Sequence, residues 1–304
     1  NVDDDKTIGG KYMDLVKTKA AQLTKVEKTS GKDTYEITVG GDSYDKVPTD
    51  VSDLIGLNVK VLKKVKSNGD VDVYGVYADD DSKIIATGTV GELKSVSGEN
   101  KKTKLKDTEY KLDNDKSKVK AIEPNVSTTV ALTDLEGYTD IDKVAGTVKL
   151  IDTNGNNKAD VVVYIPAVVG KITYVGSKSI TINNGVGSQD IGDLDIYTGY
   201  AKDDYVAVVN EKLTASGNYV VTKLDTTSAK VNSIKSSKPV EVKINDSWFK
   251  IATGSAVADD TASVKAGSTY DFVTVGNYVV NAKETESAST DVLMLADYDT
   301  TNTG

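Results

Sequence analysis

The chain has 304 residues, of which 46 are acidic and 37 basic, and its formal net charge is -9. It has no cysteine and no histidine, and every basic residue is lysine because the sequence contains no arginine. This composition excludes thiol nucleophiles, imidazole acid–base catalysis and guanidinium clamps on phosphate groups.

Alternation of apolar and polar residues runs through most of the chain and predicts short, half-buried strands. The clearest segments are residues 23–26, 35–39, 59–62, 71–74, 170–175, 179–182, 231–234 and 240–244. Helical patterning is scarce. Residues 49–56 are predicted to form one or two helical turns, with Thr49 or Asp50 as the N-cap and Gly56 at the end. Residues 11–28 also fit a helix, although Thr and Val weaken that interpretation.

A pattern of about five strands recurs four times, in copies of about 60–80 residues each. We predict an N-terminal segment over residues 1–20 and four β units over residues 21–84, 85–167, 168–228 and 229–304. The best local match aligns Tyr205-Val-Ala-Val-Val-Asn210 with Tyr278-Val-Val-Asn281 as the same strand of two copies. Because units this small bury little apolar surface alone, we expect an all-β chain of tandem small β-barrels or β-sandwiches that pack against one another.

The most specific local motif lies in residues 151–161, where oxygen-bearing side chains occupy positions 1, 3, 5 and 9 of a calcium-type loop. These positions hold Asp152, Asn154, Asn156 and Asp160. Asn157 replaces the glycine, and Val163 the glutamate, of an EF-hand loop, so the motif is not an EF-hand. Two interpretations remain open: an Asx-rich hairpin tip, and a weak calcium site with these four residues as ligands. Calcium is the one cofactor that we expect.

Acidic runs at residues 3–5, 79–81, 203–204 and 259–260 fall in predicted loops. They are typical of solvated turns that keep a chain soluble. The alternative is binding of divalent cations between units or between molecules.

No pattern in the sequence points to catalysis. A glycosidase needs two carboxylates in a cleft, usually beside aromatic platforms, but the chain has a single tryptophan, Trp248. We predict that Trp248 and Phe249 lie in a core or at a unit junction, and a sugar-binding platform is the alternative. No glycine-rich phosphate loop follows a strand into a helix. We therefore expect a non-enzymatic protein, with a hydrolase that uses only carboxylates as the alternative.

Residues 146–164 and 169–182, together with the lysine-rich and arginine-free composition, resemble the repetitive β-rich regions of bacterial surface-layer proteins and of cell-surface proteins with surface-layer-homology domains. The resemblance implies a secreted protein that assembles as a coat or lattice on the cell wall, often with calcium in its contacts. It also implies that attachment to a cell-wall polymer takes place through modules outside this chain.

These observations predict a structural protein at the extracellular surface of a bacterial cell, whose main partner is itself in a homo-oligomeric array or filament. The alternative is an adhesin or a carbohydrate-binding spacer of a cell-wall-anchored protein. We expect no nucleic-acid partner, because the chain is acidic and its lysines are scattered. We expect no membrane span, because no stretch approaches the roughly 20 apolar residues that one requires.

Overall fold

The computed structural model describes residues 13–253 and 264–286, and it confirms the all-β fold class. The strands form sheets in chain order, and we describe them below as four groups. Among the described residues, none of the helices has the length and apolar character that crossing a lipid bilayer requires.

The first group is one six-stranded sheet that curls around its own apolar core. Its strands are β1 (Val16–Lys17), β2 (Ala21–Lys28), β3 (Tyr35–Val39), β4 (Asp42–Val47), β5 (Asn58–Val65) and β6 (Val71–Ala78). The beginning of β2 pairs with β5, and the rest of β2 pairs with β3. This strand therefore connects the β1-β5-β6 part of the sheet to the β3-β4 part. Leu23 and Val26 of β2 are fully buried in the core.

The helical interpretation of residues 11–28 is wrong, and that of residues 49–56 is confirmed only for one short turn. Residues 11–28 contain, in their described part, β1 and β2, since β-branched residues favour extended backbone and the apolar spacing also suits a strand. The segment 49–56 forms only a single 3-10 turn at Ser52–Leu54. Asp50 does accept a hydrogen bond from the Ser52 N–H at 2.8 Å, but Gly56, at φ +94°, turns the chain directly into β5.

The second group packs a three-stranded sheet against a five-stranded sheet over one shared core. Its strands are β7 (Lys83–Thr89), β8 (Leu93–Ser95), β9 (Lys102–Leu105), β10 (Thr108–Lys111), β11 (Lys120–Ile122), β12 (Thr129–Ala131), β13 (Thr147–Asp152) and β14 (Val161–Ile165). Strands β8 to β10 form the smaller sheet, and the larger has the order β12-β11-β14-β13-β7. Two single-turn helices, α1 (Leu132–Leu135) and α2 (Ile141–Val144), connect β12 to β13.

The third group is a six-stranded sheet and the fourth is a closed five-stranded barrel. The strands of the third are β15 (Val168–Val175), β16 (Ser179–Ile182), β17 (Gly187–Asp190), β18 (Leu194–Ile196), β19 (Tyr205–Val209) and β20 (Tyr219–Lys223). Those of the fourth are β21 (Asp225–Lys235), β22 (Glu241–Ile244), β23 (Ser247–Ile251), β24 (Thr269–Val275) and β25 (Tyr278–Glu286).

One strand order recurs in these groups. In the closed barrel, the long first strand β21 pairs with both the second strand β22 and the fourth strand β24. The third strand β23 runs parallel to the fifth strand β25. Parallel pairs in the same position join β18 to β20 and β11 to β14. In the fourth group this order closes the sheet into a barrel, which explains how a unit of only five strands leaves no open edge.

The predicted alignment of Tyr205 with Tyr278 is wrong by one strand. Tyr205 begins β19, which pairs with the first strand of its group as β24 does in the last group. Tyr278 begins β25, whose counterpart in the third group is β20, because each of these two strands takes part in the parallel pair of its group. The two strands have similar alternation, but the two-residue link Gly276-Asn277 is a hairpin turn that makes β25 the partner strand of β24. The strand predicted at residues 292–295 lies outside the described residues.

Candidate functional site

The predicted calcium loop connects β13 to β14, which pair as an antiparallel hairpin. Asp152 is fully buried at the end of β13. Its carboxylate accepts backbone N–H groups from Asn154 at 3.1 Å, Gly155 at 2.8 Å and Asn157 at 2.6 Å. Burial alone disfavours the charged form of Asp152, but these donors outweigh burial and hold its pKa below the ordinary value.

The other predicted ligands also bond within the loop. The Asp160 carboxylate accepts the backbone N–H of Thr153 at 3.0 Å and its hydroxyl at 2.6 Å. Asn154 donates its amide to Asp160 at 3.0 Å, and the Oδ1 of Asn156 accepts the N–H of Lys158 at 2.9 Å. The structure therefore places all four residues on one hairpin tip, where each helps to hold the turn.

A carboxylate from a distant part of the chain completes this loop. Asp113, just after β10, accepts amide N–H groups from Asn154 at 3.2 Å and from Asn156 at 3.0 Å. Lys158 also reaches Asp113, at 3.5 Å. No sequence pattern points to Asp113, because it lies about 40 residues from the loop and only the parallel bridge between Leu112 and Ala159 brings the two segments together.

The loop thus has the hydrogen bonding of an Asx-rich hairpin tip. In residues 13–253 and 264–286, no group of three or more Asp, Glu, His or Cys side chains is placed to hold a metal ion. The side-chain oxygens of Asp152, Asn154, Asn156 and Asp160 already accept hydrogen bonds from donors of the loop. Calcium binding by these four residues stays a prediction.

The two described acidic runs lie beside lysines of neighbouring strands. Asp79 pairs with Lys60, and Asp203 pairs with Lys171 at 2.8 Å. Asp204 pairs with Lys223 at 2.8 Å. Residues 3–5 and 259–260 lie outside the part of the chain that the structure describes. Binding of divalent cations by these runs stays a prediction.

A half-open cleft of about 320 Å³ lies where the first three groups meet, and we call it the junction cleft. Its floor is mainly apolar and comes from all three groups: Ile55, Val163, Val209, Leu213 and Val220. Three exposed carboxylates also line it, Asp50, Asp53 and Asp195, together with one lysine, Lys149. Asp195 is held in place by the Ser216 hydroxyl and by the Asn218 amide at 3.0 Å.

The groups that form this cleft are connected through buried contacts. Ile151 and Val163 of the second group and Ala215 of the third lie in the core cluster of the first group. A Cβ atom at position 56 would collide with the Val163 side chain. It would also lie only 2.6 Å from the Cδ1 atom of Ile151. Glycine is therefore required at position 56 by close approach as well as by its positive φ.

Asn125 connects the same three groups by hydrogen bonds. Its Oδ1 accepts the N–H of Val26 in β2 at 2.9 Å, and its Nδ2 donates to the carbonyl oxygen of Thr214 at 3.0 Å. Its φ of +62° falls in the left-handed region, which Asn tolerates better than most residues. These hydrogen bonds and the positive φ account for an asparagine at position 125. The residue also begins the N-glycosylation pattern Asn125-Val-Ser127, which is not needed to explain it.

The predicted position of Trp248 is wrong. Trp248 lies on β23 with 37% of its surface exposed, and Lys235 places its ammonium 3.7 Å from the centre of the indole ring. Phe249, the next residue, packs against the core of the closed barrel. Alternation in a strand assigns neighbouring residues to opposite faces, and the sequence did not indicate which of the two faces the core.

No protein-family model matches the chain, and a search of curated proteins also finds no match.

Proposed function

We propose that this chain is a non-enzymatic structural protein of a bacterial cell surface, which assembles with copies of itself into an extracellular coat. The observation that supports the proposal most directly is the apolar packing shared between consecutive groups. A second shared cluster contains Val144 of the second group, Val169 of the third and Tyr278 of the fourth. Burial shared in this way couples the groups, and a coupled body loses less conformational entropy when it is fixed in an array.

Electron microscopy of the purified protein tests this function. In calcium-containing buffer of low ionic strength we expect repeated sheet-like or fibrous contacts. We expect these contacts to loosen in chelator or in about 1 M salt, at which the screening length falls to about 3 Å. Monodisperse monomers at every protein concentration, with and without calcium, would contradict the proposal.

A second candidate function is that of a carbohydrate-binding spacer, and the exposure of Trp248 favours it. Tryptophan side chains stack on the apolar faces of sugars, and this one lies on the β22–β23 hairpin of the closed barrel.

A glycan-array screen discriminates between the two functions. If Trp248 is a platform, the wild-type protein binds a defined glycan and Trp248→Ala weakens that binding at least about tenfold, or about 1.4 kcal/mol. Tyr174→Ala is the matched control, because Tyr174 is an aromatic residue on another group that is even more exposed than Trp248, at 57%. Equal binding by both variants, or no binding by the wild type, rejects the spacer function.

A further inference from the structure

The outer surface of the small sheet β8–β10 carries lysines that the strand register places opposite one another. Lys94 on β8 lies opposite Lys104 on β9, and Lys102 on β9 lies opposite Lys111 on β10. These side chains point outward, because the alternate residues Leu93 and Leu105 are buried in the core of the second group. We call the four residues the lysine face.

Such pairing is unfavourable for the isolated sheet, because like charges directly opposite each other in a sheet repel. Lys102 pairs with Glu99 and Glu109, and Lys104 pairs with Asp107, so the charges of these two lysines are partly compensated.

In the described part of the chain, Lys94 and Lys111 form no ion pair, and theirs are the charges left for a partner. Partial burial lowers the pKa of Lys94, and the positive charges of Lys250 and Lys104 lower it further. An anionic partner would relieve this repulsion.

The local charge is also opposite to that of the chain as a whole. Residues 94–120 contain nine lysines and five carboxylates, whereas the chain contains 37 and 46. The expectation that the lysines are scattered is therefore wrong for this segment, in which about a quarter of them are found.

The junction cleft has the complementary chemistry. A lysine side chain combines an aliphatic stem with an ammonium group, and it prefers apolar surface for the stem and carboxylate or water for the head. The cleft offers an apolar floor beside Asp50, Asp53 and Asp195. Its single lysine, Lys149, leaves an excess of negative charge.

The two surfaces lie on opposite sides of the second group. The lysine face is the outer side of the three-stranded sheet, and Val163, on the outer side of the five-stranded sheet, lines the cleft. The shared core of the group lies between the two sheets. Within one molecule, the lysine face cannot reach the junction cleft. Between molecules, each contact uses the lysine face of one copy and the cleft of another, so an open chain of copies has one unused lysine face at one end and one unused cleft at the other.

We propose that the lysine face of one copy docks into the junction cleft of the next copy, so that this chain assembles head to tail. The inference rests on the proposed self-assembly and names the surfaces that carry it. Because the contact is heterologous, it does not stop at a dimer: it continues into filaments or rows, or into a ring if the rotation between copies closes.

Two variants test the contact by sedimentation velocity over a range of protein and salt concentrations. The face variant carries Lys94→Glu and Lys111→Glu, which place a glutamate opposite Lys104 and Lys102 and so favour the folded sheet. The cleft variant carries Asp50→Asn and Asp53→Asn, which remove two of the cleft's three carboxylates without making it attractive to the glutamates of the face variant. The control is Lys19→Glu with Lys32→Glu, two exposed lysines of the first group, which changes the net charge by the same amount as the face variant.

We expect the wild type and the control to form chains that lengthen with protein concentration and shorten with salt. Each test variant alone should associate at least about tenfold more weakly, whereas its thermal unfolding confirms that it folds. An equimolar mixture of the two should give dimers only, because the intact face of one variant fits the intact cleft of the other and no further contact is possible.

Three outcomes separate the possible failures. Wild-type protein that stays monomeric overturns both the self-assembly and this contact. Assembly of the wild type and of both variants alike overturns the contact alone. The same is true if the face variant assembles normally but loses binding to immobilised polyglutamate, because the lysine face would then serve an anionic polymer.

Discussion

Replacing Asp152 by alanine is expected to lower the free energy of unfolding by about 3–5 kcal/mol. The carboxylate is fully buried and accepts three backbone N–H groups, which would lose a charged acceptor together. Urea unfolding at pH 7 measures the effect. Asp107→Ala is the control, since the Asp107 side chain is fully exposed and should change stability by less than about 0.5 kcal/mol.

The same residue makes stability depend on pH. The folded-state pKa of Asp152 lies below its unfolded value, so its contribution is complete above the unfolded pKa of about 3.9 and is lost as pH falls through the folded pKa. The stability difference between the wild type and Asp152→Asn should therefore shrink in acid. A difference that stays constant from pH 7 to pH 2 would show that the charge of Asp152 does not stabilise the loop.

Replacing Tyr278 by alanine is expected to cost about 3–5 kcal/mol, because it removes a ring that is 1% exposed in the cluster shared by three groups. Its hydroxyl donates to the carbonyl oxygen of Tyr138 at 3.1 Å, and burial raises the pKa of Tyr278 to about 12. Tyr278→Phe keeps the ring and should cost only about 0.5–1.5 kcal/mol. Denaturant unfolding of the two variants separates ring packing from the hydrogen bond.

Gly91 provides a sharper check of this contact. A Cβ atom at Gly91 would lie 2.8 Å from the Tyr278 ring, so Gly91→Ala in the wild type should cost about 1–3 kcal/mol through overpacking. In the Tyr278→Ala background the same change should cost clearly less, because the ring is gone. Additive effects in this double-mutant cycle would mean that Gly91 and Tyr278 do not pack against each other.

The sequence predicted the strands well where alternation was regular, as in β3, β13 and β16, because a period of two is a local property. It did not predict which face of a strand is buried, as Trp248 shows, nor which strand of a repeat a segment forms, as Tyr278 shows. The four loop residues were found by their spacing, whereas Asp113 joins them only through the tertiary fold. The junction cleft needs three groups and has no local signature.

Gly56 and Asn125 have a consequence for how such a chain can change over evolution. Each is fitted to neighbours in other groups: Gly56 to Ile151 and Val163, Asn125 to Val26 and Thr214. A group that is duplicated or moved would keep its own strand pairing but lose its matched partners, and apolar side chains such as Val163 would become exposed. The groups of this protein therefore cannot be exchanged one for another. A rearrangement that preserves the fold must keep each group together with the residues of the neighbouring groups that contact it.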